Sequence, residues 1–395
     1  MEETIELITF VDVKELTEMK IGIEAQRIFR HNKHGMDYVV LEEIKELQKI
    51  DRQNEYFIFV KPGPDKCLGG KDNFHIVEIS CPTYPLWEQW ALPRAARKCG
   101  VDMLHCTSNT APVACQTPLL LTLHDIIFLE PRDKSNKSLY QNLGWLYRRM
   151  VVPKVLGHCR KIITVSQYEL DNIVTKLNIP RSRMEMIYNG YNKWFQPLED
   201  KEKIYARYAS ERGFFFFLGN TDPKKNTERT IIAYSKYLHK SNIKRKLLVA
   251  DLSRDVIDNI LRRNKIENVA NNIIAAGYIA NKDLPYVYNA AFAFLYTSLR
   301  ESFGIPLLEA MACGTPVITG NKSALPEIAG EAALLANPES TDDIAELMLS
   351  LETNEAIGKS LREKGIHRAA SFSWESTAKK ILSVYNSVAE ENTKE

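Results

Sequence analysis

The stretch LRESFGIPLLEAMACGTPVI, residues 299–318, carries two glutamates separated by seven residues around what reads as a helix start. The apolar run AFAFLYT (291–297) precedes it as a strand. Pro306 suits a first helical turn and Gly314 a C-terminal cap. Glu301 therefore falls in a loop at a strand's carboxyl end, and Glu309 falls on the helix that follows. Phe303, Gly304 and Ile305 lie where backbone N–H groups lack intrahelical acceptors, a natural anion site. A carboxylate such as Glu309 can accept both hydroxyls of a ribose, while Glu301 can hydrogen-bond a second sugar. The set suits a ligand with a diphosphate and several hydroxyls, such as a nucleotide sugar. Either glutamate alone would more often be a solvated surface group. The pair, with Ser-Phe-Gly-Ile-Pro beginning the interval between them, points to chemistry.

Two further places hold reactive side chains at strand ends. FFFFLGNTDPKKNTERTIIAY (214–234) reads as a strand, a loop with Gly219, Asn220, Lys224 and Lys225, and a helix. Read from the residues alone, the Lys224-Lys225 pair is an ordinary solvated one. In LTLHDIIFLE (121–130), His124 ends an apolar strand with Asp125 beside it, and His105 ends another in DMLHCTSNTAP. A lone strand-end histidine is usually structural; position makes His124 the stronger candidate, with His105 and Asp125 expected on an acceptor side.

The elements that would position these groups alternate strand and helix. IGIEA (21–25), YFIFV (56–60), HIVEI (75–79), MLHC (103–106), PLLLTLHD (118–125) and KIITVS (161–166) read as strands, with helices such as 36–50 and 168–177 between them. The runs are mostly continuous, as in parallel strands covered on both faces. Residues 189–212, with Asn-Gly, Pro and a charge run, read as a linker. A second series follows: FFFFLG (214–219), KLLVAD (246–251), NIIAAGYI (272–279), AFAFLYT (291–297), PVIT (316–319) and ALLA (333–336), with helices near 226–239, 253–263, 283–290, 306–312 and 341–350. An amphipathic helix capped by Ser373 closes the chain at 373–390. The fold class is therefore α/β with two doubly wound, Rossmann-like domains, 1–195 and 196–372, facing each other across a cleft. The helix of segment 373–395 is expected to pack back on the first domain. Residues 1–18 read equally as an extension ahead of the first strand or as an extra strand in ELITFV.

Bulk composition narrows the function classes. With 395 residues, 45% hydrophobic and 26% charged, the chain has apolar material for two cores. A net charge of +2 argues against a general nucleic-acid binder. Seven cysteines without CxxC spacing read as free thiols rather than zinc ligands or disulfides. No apolar run reaches the ~20 residues of a membrane span, and the acidic start lacks a signal-peptide n-region. The expected location is cytoplasmic. WLYRRMVVPKVLGHCRK (145–161) could touch an anionic inner-membrane surface, although a packed helix with a wet basic face explains it as well.

The 299–318 stretch resembles the Glu–seven residues–Glu motif of the family-4 retaining glycosyltransferases, and the likeness extends over nearly the whole chain from residue 19. That resemblance implies the GT-B fold and transfer of a hexose from a nucleotide-diphosphate sugar to a glycan or lipid-linked saccharide acceptor. It implies no cofactor and no metal. Lys225 matches the phosphate-binding lysine; Asn220 stands where many members have arginine, so the site carries one cation fewer. His124 matches the histidine that faces the transferred sugar, Glu301 falls on that sugar, and Tyr278 and Ile279 lie where backbone groups meet the nucleobase. HNKHGMDYVV (31–40) is similar to the first loop and helix, with Gly35 allowing close approach to phosphate or acceptor, and LWEQWALPRAARK (86–98) resembles mannosyltransferase-like members. A GT-B sugar-nucleotide epimerase, an inverting transferase and a non-catalytic sugar-binding protein remain the competing readings.

Overall fold

A computed structural model describes residues 18–130, 139–200 and 202–392. The alternative readings of residues 1–18 fall almost wholly outside the described residues. Two entirely parallel sheets form the frame. The first contains β1 (Lys20–Glu24), β2 (Glu55–Val60), β3 (Phe74–Glu78), β4 (Met103–Cys106), β5 (Leu119–Thr122), β6 (Cys159–Thr164) and β7 (Met184–Met186), in the order β3-β2-β1-β4-β5-β6-β7. The second contains β8 (Phe215–Leu218), β9 (Leu247–Ala250), β10 (Ile273–Gly277), β11 (Ala293–Tyr296), β12 (Val317–Gly320) and β13 (Leu334–Ala336), in the order β10-β9-β8-β11-β12-β13.

The continuous apolar runs have a direct explanation. Successive side chains leave a strand on opposite faces, and helices cover both faces of each sheet. Phe214 and Phe216 enter one core with Leu248 and Phe294, while Phe215 and Phe217 enter the other with Leu247 and Leu295. In the first sheet Ile21, Ile23 and Ile58 pack on one side and Phe59, Leu104 and Leu121 on the other.

Strand order reverses between β1 and β4 in the first sheet and between β8 and β11 in the second. Ligands of open α/β sheets bind at such switch points, outside the carboxyl ends of the strands. The loops carrying Lys225 and Glu301 leave β8 and β11, the two strands flanking the second switch point.

The helix Trp374–Asn392 places Ala378, Ile381, Val384, Tyr385 and Val388 in the core of the first domain. Ser373 caps it, its Oγ accepting from the Ser376 N–H at 3.1 Å. The segment 189–212 is less of a free linker than its polar composition suggests. Phe195 and Ala209 are buried in the second domain's core, Leu198 N–H bonds to Asn289, and Tyr208 donates to Asp283 at 2.7 Å. Tyr191, Tyr205 and Tyr208 pack half-buried against the same core, whereas Trp194 stays exposed. The two crossings of the chain meet near Tyr188–Gly190, where Thr377 donates to the Tyr188 carbonyl at 2.7 Å.

At Gly190 a Cβ would lie 2.2 Å from the Trp374 nitrogen and 2.6 Å from the Ser373 carbonyl carbon, both backbone atoms. Gly190→Ala should therefore destabilise by about 1–3 kcal/mol through overpacking at the crossing. Gly144→Ala, in a helix with nothing within 4 Å of the new methyl, should leave stability unchanged or raise it. Urea midpoints of the two variants check this.

Candidate active site

Lys225 reaches the site through a short, well-braced turn. Asp222 accepts from the Lys224 N–H at 3.2 Å. Asn226 takes the left-handed conformation, with φ 60°, and donates from Nδ2 to the carbonyls of Thr297 and Pro338. The Lys224 carbonyl accepts from Leu299 N–H at 2.7 Å. These bonds tie the β8 loop to the β11 loop and bring Lys225 Nζ to 2.6 Å from Glu301 Oε1.

Glu301 is held from several sides. Its N–H donates to Ser323 Oγ at 3.0 Å, and its carbonyl accepts from Ala324 N–H at 3.3 Å. The Tyr296 phenol bonds to its carboxylate; burial first, then the charge of Glu301, holds that phenol well above its ordinary pKa. Lys225 Nζ also lies 5.5 Å from the Tyr296 ring centroid. The ammonium has three donors and spends one on Glu301, so it can still donate to a phosphate oxygen.

The helix Ile305–Ala312 opens beside this pair. Gly304, at φ 107°, is its N-cap; a side chain there would be strained and would press on Leu325 and Tyr296. The N–H groups of Phe303, Gly304 and Ile305 have no backbone acceptor among the described residues. Phe303 contributes only its N–H, because its ring packs with Tyr188 and Phe372 in the core. Glu309 stands mid-helix near Tyr288 and Tyr296, whose phenols are held well above their ordinary pKa by burial first and by its charge among the lesser causes. Burial pushes its own carboxyl up to about 8.

In the first domain, His124 directs Nε2 to the Thr107 carbonyl at 3.0 Å. Burial is the main influence on its pKa and lowers it, so the ring is neutral near pH 7. With Nε2 donating to a carbonyl, Nδ1 is the acceptor. Asp125 follows, its carboxylate accepting from Ile127 N–H at 3.0 Å.

One expected residue, His105, sits differently. His105 does not line the cleft. Its Nδ1 meets Tyr385 Oη and its Nε2 meets Thr122 Oγ1, both at 2.8 Å, and burial pushes its pKa down to about 3. Residue 105 is still within β4, so its side chain leaves across the sheet towards the 374–392 helix, not along the strand into the cleft. Gly35 has φ outside the left-handed region and open space around it. At the start of that helix Asp37 accepts from His34 N–H and pairs with Arg27 and Arg30. Gly219 is needed for packing: a Cβ would lie 2.5 Å from Leu252. Asn220 Oδ1 turns the loop by accepting from Asp222 N–H. Tyr278 is 74% exposed, whereas Ile279 is buried.

Sequence reasoning missed Tyr296, Asn226 and Ser323, although an asparagine directly after Lys225 and a tyrosine ending β11 were visible signals. It also missed Glu88, a buried carboxylate in the π-turn Trp87–Ala91 that accepts from Tyr84, Thr110, Gln89 and Tyr147.

Comparison with known proteins finds two family matches in succession along the chain. Residues 34–193 match the model for Glycosyltransferase Family 4, and residues 200–371 match that for Glycosyl transferases group 1. The chain is 28% identical over 278 residues to the O-antigen chain mannosyltransferase B of Escherichia coli, covering 67% of this chain and 69% of that protein. Its fold is that of the sucrose-phosphate synthase of Thermosynechococcus elongatus, with TM-score 0.73 at 17% identity over 95% of this chain and 100% of that one. It is also that of Anabaena HepE, solved with UDP-glucose, with TM-score 0.70 at 15% identity over 94% of this chain and 100% of that one. Two GT-B domains, a lysine–glutamate pair at the switch point and two successive family matches lead to one conclusion: the chain is a glycosyltransferase and belongs to the family-4, group-1 glycosyltransferases.

Proposed function

We propose that this glycosyltransferase moves a hexose, specifically mannose, from a nucleotide-diphosphate donor to a hydroxyl of a glycan or lipid-linked saccharide, with retention and without a metal ion. The observation that carries the reading is the Lys225–Glu301 pair beside the free N–H groups of the Ile305–Ala312 helix. As the bond from sugar to diphosphate lengthens, negative charge grows on the departing oxygens. Lys225 and the N–H groups are placed to meet it without reorganisation. Glu301 and His124 Nδ1 are acceptors for hydroxyls of the reacting sugar. With retention, the acceptor enters from the face the diphosphate leaves, so the departing phosphate oxygen is the nearest base for its proton.

Mannose is favoured by the named activity of the Escherichia coli relative and by the 86–98 segment. A role in polysaccharide or lipopolysaccharide assembly follows from the same relative. A cytoplasmic protein resting on the inner membrane face fits a lipid-linked acceptor. Among the described residues no helix is long and apolar enough to cross a membrane, but the helix Leu139–Leu156 exposes Leu143, Leu146 and Met150 in a row.

The test is turnover of GDP-mannose, UDP-glucose and UDP-galactose with octyl α-mannoside as acceptor, with and without EDTA. GDP-mannose should be consumed fastest, and EDTA should change its rate by less than about twofold, since lysine and N–H groups carry the charge. Complete loss with EDTA, restored by magnesium or manganese, would contradict the metal-free reading. Preference for a UDP-sugar would remove mannose.

A further inference from the structure

Glu301 sits between two residues that bond to the other domain. Arg300 Nε donates to Glu130 at 3.1 Å, and its Nη1 donates to Glu169. The guanidinium also lies over the Tyr168 ring, 4.9 Å from the centroid. On the far side of Glu301, the Ser302 carbonyl accepts from Ser166 Oγ at 2.8 Å. Residues 300 and 302 thus both engage the first domain, chiefly the turn 166–169 that begins the helix Gln167–Leu177. Glu301, pointing the opposite way, engages Lys225, Tyr296 and Ser323 of the second. Glu327 braces the same turn, its carboxylate accepting from the N–H groups of Gln167 and Tyr168 at 2.8 and 3.0 Å.

We propose that Arg300 is a positioning residue: by tying the β11 loop to the 166–169 turn across the domain seam, it sets where Glu301 meets the reacting sugar. The inference rests on the reading of Glu301 given above. Arg300 is 9% exposed and Glu169 is fully buried, so the pair is shielded from solvent. A buried pair of this kind is seldom the most stable filling of its space. Among the described residues Arg300 Nη2 and Glu169 Oε2 are buried without hydrogen-bond partners, so the contact is not saturated as a purely stabilising one would be. What the pair supplies is direction. A guanidinium held by two carboxylates of one domain fixes the backbone of the next residue in the other, and only when the domains are in register.

The experiment compares Arg300→Met, Arg300→Lys, Glu169→Gln and the double variant Arg300→Met/Glu169→Gln in the full chain, measuring kcat, donor KM and thermal midpoint. Misplacing a catalytic group by about 1 Å can cost ~10²-fold in rate. Arg300→Met should therefore lower kcat by roughly 30–100-fold while donor KM moves by less than about threefold. Arg300→Lys should recover part of the loss. The double variant should be no more than about threefold worse than Arg300→Met, because both changes break one link. Should Arg300→Met not fold, Glu130→Gln, at the more exposed end of the clamp, should give a smaller fall in kcat at unchanged midpoint. A lowered thermal midpoint with normal kcat would overturn the proposal and leave a structural pair. So would single losses that multiply in the double variant. Glu301→Gln in the same assay separates the two levels. If it turns over normally, the reading of Glu301 fails and this proposal with it. If it is crippled while Arg300→Met is normal, only this proposal fails.

Discussion

Lys225→Ala should lower kcat by ~10²–10³-fold, the loss found when one preorganised donor to a developing negative charge is removed. Before the sugar–diphosphate bond breaks, the lysine shares its charge with Glu301 at 2.6 Å. As the diphosphate departs, the charge it must meet increases, so the interaction strengthens in the transition state and appears in kcat. Glu301→Gln should fall by a similar factor, because it replaces one of the two acceptor oxygens by a donor and removes the charge that anchors the lysine. The two losses should not multiply. Lys225 and Glu301 share one contact, so Lys225→Ala/Glu301→Gln should sit close to the worse single variant. Asn220→Arg tests whether the site lacks charge: tighter donor binding would show that it does. Near-normal turnover in both single variants, with folded protein shown by circular dichroism, would remove the catalytic assignment.

Glu309→Ala should act on binding instead. If its carboxylate accepts two ribose hydroxyls, it makes the same bonds before and during reaction, so donor KM should rise by about 10–100-fold with kcat changed by less than about threefold. The pH dependence has a definite sign. Burial raises the Glu309 carboxyl from 4.5 to about 8, so at pH 6 it is protonated and cannot offer both oxygens as acceptors. Donor KM should therefore fall as pH rises from 6 towards 8 and level off above that. In Glu309→Gln this dependence should disappear. A donor KM that is flat with pH in the wild type, or a Glu309→Ala defect confined to kcat, would move the ribose contact elsewhere.

The strands were legible because buried parallel strands must be apolar on both faces: the four phenylalanines at 214–217 divide between two cores. The π-turn at 87–91 was not. Its extra residue per turn leaves no simple period, and Glu88 is stabilised by Thr110 and Tyr147, far away in sequence. Lys225 and Glu301 could be picked out by type and spacing, but their contact could not, since it depends on Asn226 bonding to Thr297 and Pro338. Arg300 stood beside a recognised glutamate and carried no signal, because Glu130 and Glu169 lie in the other domain. His105 was misjudged because nearness to a strand end does not set side-chain direction. The segment 189–212 looked like a free linker because its polar residues outnumber the few aromatics that dock it.

The most direct test of the account follows GDP-mannose and octyl α-mannoside by proton NMR during turnover, reading the anomeric signals of donor and product. The donor's α signal should be lost only when acceptor is present, a new α-linked mannosyl signal should grow, and GDP should be released in equal amount. A β-linked product would contradict retention, an epimerised donor would replace transfer with isomerisation, and unchanged donor across all the nucleotide sugars tried would contradict the enzyme itself.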